Sequence, residues 1–208
     1  MSYYSIDTKK IPLLFIHIPK TAGTSVREWM YNFYGMNKII GFKHAPISYP
    51  HLKDLKITSF AIIRNPFERA VSLYQEFGDI AANNFGKDLF GVDNLTVENW
   101  NKGFDYFVQN FFNSIVVQEN ISISPAFTQH SYISINNKIK VDHILKFETL
   151  DRDFKNIQSI VGNYENLGKH QVGKFIHLKN YKDLYTNSSK QLIEEIYKED
   201  LEKFNYVF

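Results

Sequence analysis

The chain has 208 residues, with 24 Lys and Arg against 22 Asp and Glu, 44% apolar and 22% charged side chains, and no cysteine. A chain of this length buries roughly 70% of its unfolded surface, so the expectation is one domain spanning residues 1–208 with a single sizeable core. The near-neutral balance excludes a general nucleic-acid binder, and the lack of cysteine excludes disulfides, thiolate metal sites and cysteine nucleophiles.

At the start, Met1 to Lys10 is short and polar, and the apolar run that follows is far below the ~20 residues of a membrane span. No signal, anchor or membrane span is expected, which makes the cytoplasm the default compartment. The run Leu13 to Ile18, stopped by Pro19, reads as a buried strand. Val26, Trp29, Met30 and Phe33 then recur at helical spacing, and Gly35 ends that helix. Lys38 to Phe42 reads as a weaker strand, and Ile57 to Ile63 as a further one. Pro66 takes the first position of the next helix, whose apolar face is Phe67, Ala70, Val71 and Tyr74.

Asp79 to Asn94 has no period and reads as a mobile loop. Thr96 to Phe112 reads as a helix despite Gly103, Val141 to Phe147 as a strand, and Leu150 to Val161 as a helix. Ser188 and Gln191 form a capping box ahead of a long amphipathic helix that closes the chain. Strands alternating with helices at this spacing predict an α/β fold with a parallel sheet and crossover helices. An aromatic content of 16% reads as a core rich in Phe and Tyr.

Charge is uneven along the chain. Residues 1–75 hold ten Lys and Arg against four Asp and Glu, so an anionic ligand is expected near the first third. The turn Pro19-Lys20-Thr21-Ala22-Gly23-Thr24-Ser25 lies between a strand and a helix, where free N–H groups and a partial positive charge suit a phosphate-like anion. The alternative is that Thr24 or Ser25 caps the helix while Lys20 is solvated. A nucleotide loop of the Walker type places Gly-Lys-Ser/Thr at the helix start, whereas Lys20 here precedes the glycine. A second basic segment, Arg64-Asn65-Pro66-Phe67-Glu68-Arg69, follows the Ile57 to Ile63 strand. On a helical wheel Arg69, Ser72 and Glu76 lie opposite the apolar face, and Arg64 at the strand end could meet them around a terminal phosphate. The alternative there is a surface helix with an ion pair from Arg69 to Glu68 or Glu76.

Both segments resemble the motifs of sulfotransferases that use 3′-phosphoadenosine-5′-phosphosulfate (PAPS). Pro19 to Ser25 is similar to the 5′-phosphosulfate loop, Pro-Lys-x-x-Gly-Thr-Ser, and Arg64 to Ser72 to the 3′-phosphate motif, Arg-x-Pro-x-x-Arg-x-x-Ser. Phe147-Glu148-Thr149-Leu150 and the closing segment Tyr197 to Tyr206 resemble the carbohydrate branch that includes heparan sulfate 2-O-sulfotransferases. The resemblance implies a P-loop-like three-layer α/β fold with a central parallel sheet. It also implies sulfuryl transfer from PAPS to a hydroxyl of a carbohydrate or glycoconjugate, leaving 3′-phosphoadenosine-5′-phosphate (PAP). The donor-binding residues it implies are Lys20, Thr21, Ala22, Gly23, Thr24, Ser25, Arg64, Arg69 and Ser72. Lys20 is assigned to the leaving phosphate, and His44, in a segment where that branch carries its catalytic histidine, to the base. Gln129 falls near the family's Pro-Gln segment with the proline displaced, and with His130 it is a candidate acceptor contact. Gly168 to Lys174 occupies the place of a loop that covers the 3′-phosphate in related folds, and reads equally as a solvated loop.

His17 reads as a packed residue within its strand, and His51, His143, His170 and His177 as structural or exposed. Glu148 reads as a structural anchor or a second carboxylate. The histidines and carboxylates lack metal-ligand spacing, so no metal is expected. A kinase or other phosphotransferase is disfavoured by the loop order and the missing Walker aspartate; a binding protein without catalysis stays open. Acceptor identity, oligomeric state and pathway are not legible.

Overall fold

In the computed structural model, residues 2–42, 44–82, 96–113, 116–118, 121–168 and 180–208 are described. They fall into two compact units, one formed by Met1–Arg64 with Gln129–Val172 and the other by Asn65–Thr128 with Gly173–Phe208.

The first unit contains a five-stranded sheet. Its strands are β1 (Ser2–Ser5), β2 (Leu13–Ile16), β3 (Ile39–Phe42), β4 (Thr58–Ile63) and, last among these in the chain, His143–Lys146, which is β9 in the numbering completed below. The spatial order is β3-β1-β2-β4-β9. β2 and β4 pair in parallel with Phe15 opposite Phe60, and β4 pairs in parallel with His143–Lys146. β1 runs antiparallel to both its neighbours, with Tyr3 opposite Phe15 on one side and Gly41 on the other. The sheet is therefore mostly parallel, and β1 is the exception to the expected parallel set.

Alternation decides which side chains the sheet offers to its helices. Leu13, Phe15, Phe60, Ile62 and Leu145 share one cluster with Val26, Trp29 and Met30 of helix α1 (Gly23–Tyr34) and with Phe154, Ile157 and Val161 of the helix Leu150–Val161. Phe15 stacks on Phe60 at 4.9 Å between centroids, and Trp29 meets Phe154 edge-on at 4.9 Å. Each such side chain contributes roughly 1.5–3 kcal/mol when fully buried. Gly35 ends α1 as its spacing predicts, its N–H bonding Tyr31 O. At the strand starts, Asp142 accepts from the N–H and Oγ of Ser59 at 2.8 and 2.7 Å, which fixes the register of the last strand against β4.

The second unit begins with α2 (Pro66–Ala82), in which Pro66 holds the first helical position as expected. This helix takes in 79–82, the first residues of the segment read as a loop; 83–94 lie outside the described residues. Residues 96–112 form two helices rather than one, α3 (Val97–Trp100) and α4 (Phe104–Phe111). The break is Gly103, whose φ of 96° is outside the helical region and open to glycine. A hairpin of β5 (Val116–Gln118) and β6 (Ile121–Ile123) follows.

The chain then returns to the first unit through α5 (Gln129–Ile133), the short pair β7 (Ser134–Ile135) and β8 (Lys138–Ile139), β9 (His143–Lys146) and α6 (Leu150–Val161). The last helix, predicted as one, is α7 (Asn187–Ile196) and α8 (Lys198–Phe204), broken at Tyr197. Its cap also differs: Thr186 accepts from the Ser189 N–H, and the Ser189 hydroxyl from the Thr186 N–H, in place of the predicted Ser188 and Gln191. The core of this unit gathers Phe67, Val71, Tyr74 and Phe77 of α2, Phe104, Phe107 and Phe111 of α4, Ile193 and Tyr197. The expected α/β class, a central and mostly parallel sheet flanked by helices, is the class observed.

Candidate functional site

β2 delivers its chain to a turn with unusual backbone. After Ile16 come His17, Ile18 and Pro19, then Lys20 at φ 69° and Ala22 at φ 67°, both left-handed without being glycine. Each such residue costs roughly 1–2 kcal/mol, and strain of this kind collects where a site over-determines the backbone. Thr21, 0% exposed between them, donates its Oγ1 hydrogen to Ile18 O at 2.8 Å and pins the turn.

Ala22 is the N-cap of α1 and has no side-chain acceptor, so neither Thr24 nor Ser25 caps the helix. The first-turn N–H groups and the helix dipole thus sit beside Lys20, an arrangement suited to an anion. Gly23 is required by a neighbour, since a Cβ there would lie 1.8 Å from His17 Nε2. The His17 imidazole therefore rests on the start of α1.

His17 lies past the end of β2 rather than within it. Its ring stacks on Phe15 at 5.6 Å and lies 4.6 Å from the ring of His44. His44 follows β3 with φ 49° and is half-buried. Ser2 Oγ accepts from the His17 N–H at 3.0 Å and donates to Ala45 O at 2.6 Å, tying both histidine segments together from a fully buried position. The sequence reading missed both the pairing of His17 with His44 and the part of Ser2. The only signal was that both histidines follow strands of one sheet.

Arg64 follows β4 and completes this cluster. Its Nη1 donates to Lys20 O at 3.4 Å, and its guanidinium lies 4.3 Å from the centroid of the Phe147 ring. The two basic segments singled out in the sequence thus converge, and Phe147 supplies a cation–π face that sequence reasoning left without a role. The turn bearing Phe147 is held by Asp153, which accepts from Thr149 Oγ1 at 2.6 Å and from the Lys146 N–H at 3.3 Å. Burial would raise the Asp153 carboxyl, but hydrogen bonds from Thr149, Arg152 and the Lys146 N–H outweigh it and hold the group below its ordinary value. Glu148, next to Phe147, is exposed.

Gln129 and His130, the residues expected at the acceptor, both lie in α5. Gln129 is 0% exposed, and both ends of its amide are engaged by the main chain of Arg64. His130, beside it in α5, is buried. His51 is exposed and stacks on Phe42 at 5.5 Å, and His143 is half-buried in β9. Lys43, His170, His177 and residues 169–174 of the predicted covering loop lie outside the described residues.

In the second unit, Arg69 is 0% exposed, which rules out the alternative that it stands on a solvent-facing helix surface. Its Nη1 donates to Phe127 O at 3.1 Å and to Tyr197 Oη at 3.0 Å, and the Tyr197 hydroxyl in turn donates to Pro125 O. Tyr197, where the closing helix is interrupted, is 0% exposed. Ser72 is half-buried on α2.

A cavity of about 740 Å³ opens at the opposite, amino-terminal end of the strands, bordered by Leu14, Thr58, Ser59 and His143, and no sequence-predicted site residue lines it. Among the described residues no group of three or more His, Asp or Glu is placed to hold a metal ion, and no helix is long and apolar enough to cross a membrane. The sulfotransferase family model matches residues 3–207, nearly the whole chain and both of its units, and the protein belongs to that family. No curated protein and no solved structure matches it. Family membership makes the chain a transferase of sulfuryl groups that takes an acceptor substrate.

Proposed function

We propose that the protein moves a sulfuryl group from PAPS to a hydroxyl by in-line displacement, with a carbohydrate or glycoconjugate as acceptor. The observation that carries this reading is the 3.4 Å approach of Arg64 Nη1 to Lys20 O, which joins the two donor motifs in one cluster. A donor with phosphates at both ends fits such a cluster. Lys20 and the first-turn N–H groups of Gly23, Thr24 and Ser25 take the 5′-phosphosulfate, while Arg64 takes the 3′-phosphate. The resemblance also assigns Ser72 to donor binding. Arg69, with its guanidinium engaged by Phe127 and Tyr197, is read as a support within its own unit.

His44 acts as the base. It accepts the proton of the attacking hydroxyl as the oxygen–sulfur bond forms, and Lys20 stabilises the charge that grows on the phosphate oxygen as the old sulfur–oxygen bond breaks. His17, 4.6 Å away between ring centroids, orients the His44 imidazole. A sulfuryl group carries one negative charge less than a phosphoryl group, so a lysine suffices where phosphoryl transfer recruits a divalent ion. The likeness of Phe147 to Leu150 and of the closing segment to the heparan sulfate 2-O branch supports a saccharide acceptor.

Two measurements test the reading. Calorimetry with PAP should give saturable binding, and radiolabelled PAPS offered with saccharides, lipids and phenols should label saccharides. His44→Ala should keep PAP binding and lower transfer by about 10²–10⁴. A purified protein that binds no PAP, or one that turns over ATP with magnesium instead, removes the proposal.

A further inference from the structure

β4 makes its last ladder pair at Ile63, opposite Lys146. Arg64 follows, and its N–H and C=O pass beyond the registered strand pairs. Both groups are nevertheless satisfied by one side chain 65 residues away: the Arg64 N–H donates to Gln129 Oε1 at 2.8 Å, and Gln129 Nε2 donates to Arg64 O at 2.8 Å. A primary amide presents an acceptor and a donor side by side, as a peptide group does, so Gln129 extends the ladder by one residue from the side. It is fully buried, and both ends of its amide are engaged by the main chain of Arg64.

The same short helix reaches a second part of the cluster. Tyr132 O, in α5, accepts from the Ile47 N–H at 2.7 Å, holding the segment that follows His44. Gln129 and Arg64 are also the residues at which the two segments of their unit begin and end. The guanidinium of Arg64 needs a fixed root, because its contacts with Lys20 O and the Phe147 ring are made at the far end of a long side chain.

We propose that Gln129 is a positioning residue for donor binding: its buried amide fixes the main chain of Arg64 so that the guanidinium is pre-aimed at the donor phosphate. This rests on the reading of Arg64 as a donor contact, and the experiment keeps the two apart. Pre-organisation of this kind shows in donor affinity, whereas a purely structural side chain shows in stability alone.

PAP binding is measured by calorimetry for the wild-type chain, Gln129→Leu, Arg64→Ala and the double variant, with thermal unfolding recorded for each. Gln129→Leu should weaken PAP about tenfold in the wild-type background and have little effect in the Arg64→Ala background, because residues that act through one another are not additive. Gln129→Glu provides the second arm and does not depend on the leucine variant folding. At about pH 8 its carboxylate can accept from the Arg64 N–H but repels the Arg64 carbonyl. A neutral carboxylic acid again presents acceptor and donor side by side, and burial favours that form. Its PAP affinity relative to wild type should therefore be low at about pH 8 and recover at about pH 6. Equal weakening by Gln129→Leu in both backgrounds, or a glutamate variant with no loss at the higher pH or no recovery at the lower one, overturns the inference alone. Absence of PAP binding by the wild-type chain overturns the donor reading, and this inference with it.

Discussion

A methyl group added at Gly23 would sit 1.8 Å from His17 Nε2 and 2.1 and 2.2 Å from two of its ring carbons. Carbon atoms settle at about 3.5–4.0 Å, so either the imidazole withdraws by about 2 Å or the start of α1 moves. Overpacking of this sort costs roughly 1–3 kcal/mol. In a domain of 150–250 residues each kcal/mol lowers Tm by about 2–4 °C, which predicts a loss of about 2–12 °C for Gly23→Ala. Withdrawal also takes the ring from Phe15 and from His44, its neighbours at 5.6 and 4.6 Å, so transfer activity should fall along with Tm.

The decisive comparison is made without the histidine. Alanine in a helix is favoured over glycine by up to about 1 kcal/mol. In a His17→Ala background the clash is gone, and Gly23→Ala should become neutral or stabilising. Scanning calorimetry on the four proteins of this cycle reads the change of sign directly. If Gly23→Ala lowers Tm equally with and without His17, the ring does not occupy the space above Gly23 and the account of the site fails at its first step.

Arg69→Ala removes a fully buried guanidinium bonded to Phe127 O and Tyr197 Oη. A cost of about 3–5 kcal/mol is expected from the lost charge-assisted bonds and the cavity, read as a lower urea midpoint; an unchanged midpoint refutes the supporting role. Burial pushes the Tyr3 phenol up to about 12, and burial likewise raises Tyr34, Tyr74 and Tyr185, whose hydroxyls donate to Ile11 O, Trp100 O and Phe67 O. The unfolded chain loses these protons near pH ~10 while the folded chain keeps them, so stability is full below that pH and falls as pH rises from about 10 through 12. Urea midpoints that stay level across that window contradict it. Thr186→Ala deletes the cap of α7 and should cost about 0.5–2 kcal/mol in chemical denaturation, with Thr186→Ser close to wild type.

The parts of the fold legible in the sequence are those where a side-chain period meets a conformational stop. α1 ends at Gly35, α2 starts at Pro66, and α6 spans Leu150–Val161, each as the spacing predicts. β1 was illegible because Ser2 to Ser5 is short and has few apolar positions; its place between β2 and β3 is set by main-chain pairing that leaves no composition mark. Periodicity also reads through a break when apolar spacing continues across it. That is why residues 96–112 and the closing segment each looked like one helix, although Gly103 and Tyr197 depart from helical backbone. The burial of Arg69 was illegible for a related reason. A helical wheel separates polar from apolar faces but does not say whether a second surface covers the polar one, and here Phe127 and Tyr197 do.

Within the cluster the residue types that suggest chemistry were legible, and the residues that hold them were not. Lys20, His44 and Arg64 are half-buried, and their charge or titration marks them in any reading of the chain. Their anchors are neutral and fully buried: Thr21 on Ile18 O, Ser2 between His17 N–H and Ala45 O, Gln129 across both main-chain groups of Arg64. Two of these three act across 15 to 65 residues of sequence, so no local pattern announces them. Each bond contributes only about 0.5–1.5 kcal/mol to stability. Under the proposed mechanism their larger effect is geometric, since a reacting group displaced by 1 Å can lose about 10² in rate. Burial therefore sorts the cluster into two sets: under the proposed mechanism a substitution at half-buried Lys20, His44 or Arg64 should alter chemistry, while one at Ser2 or Gln129 should act through the main chain that each of them holds.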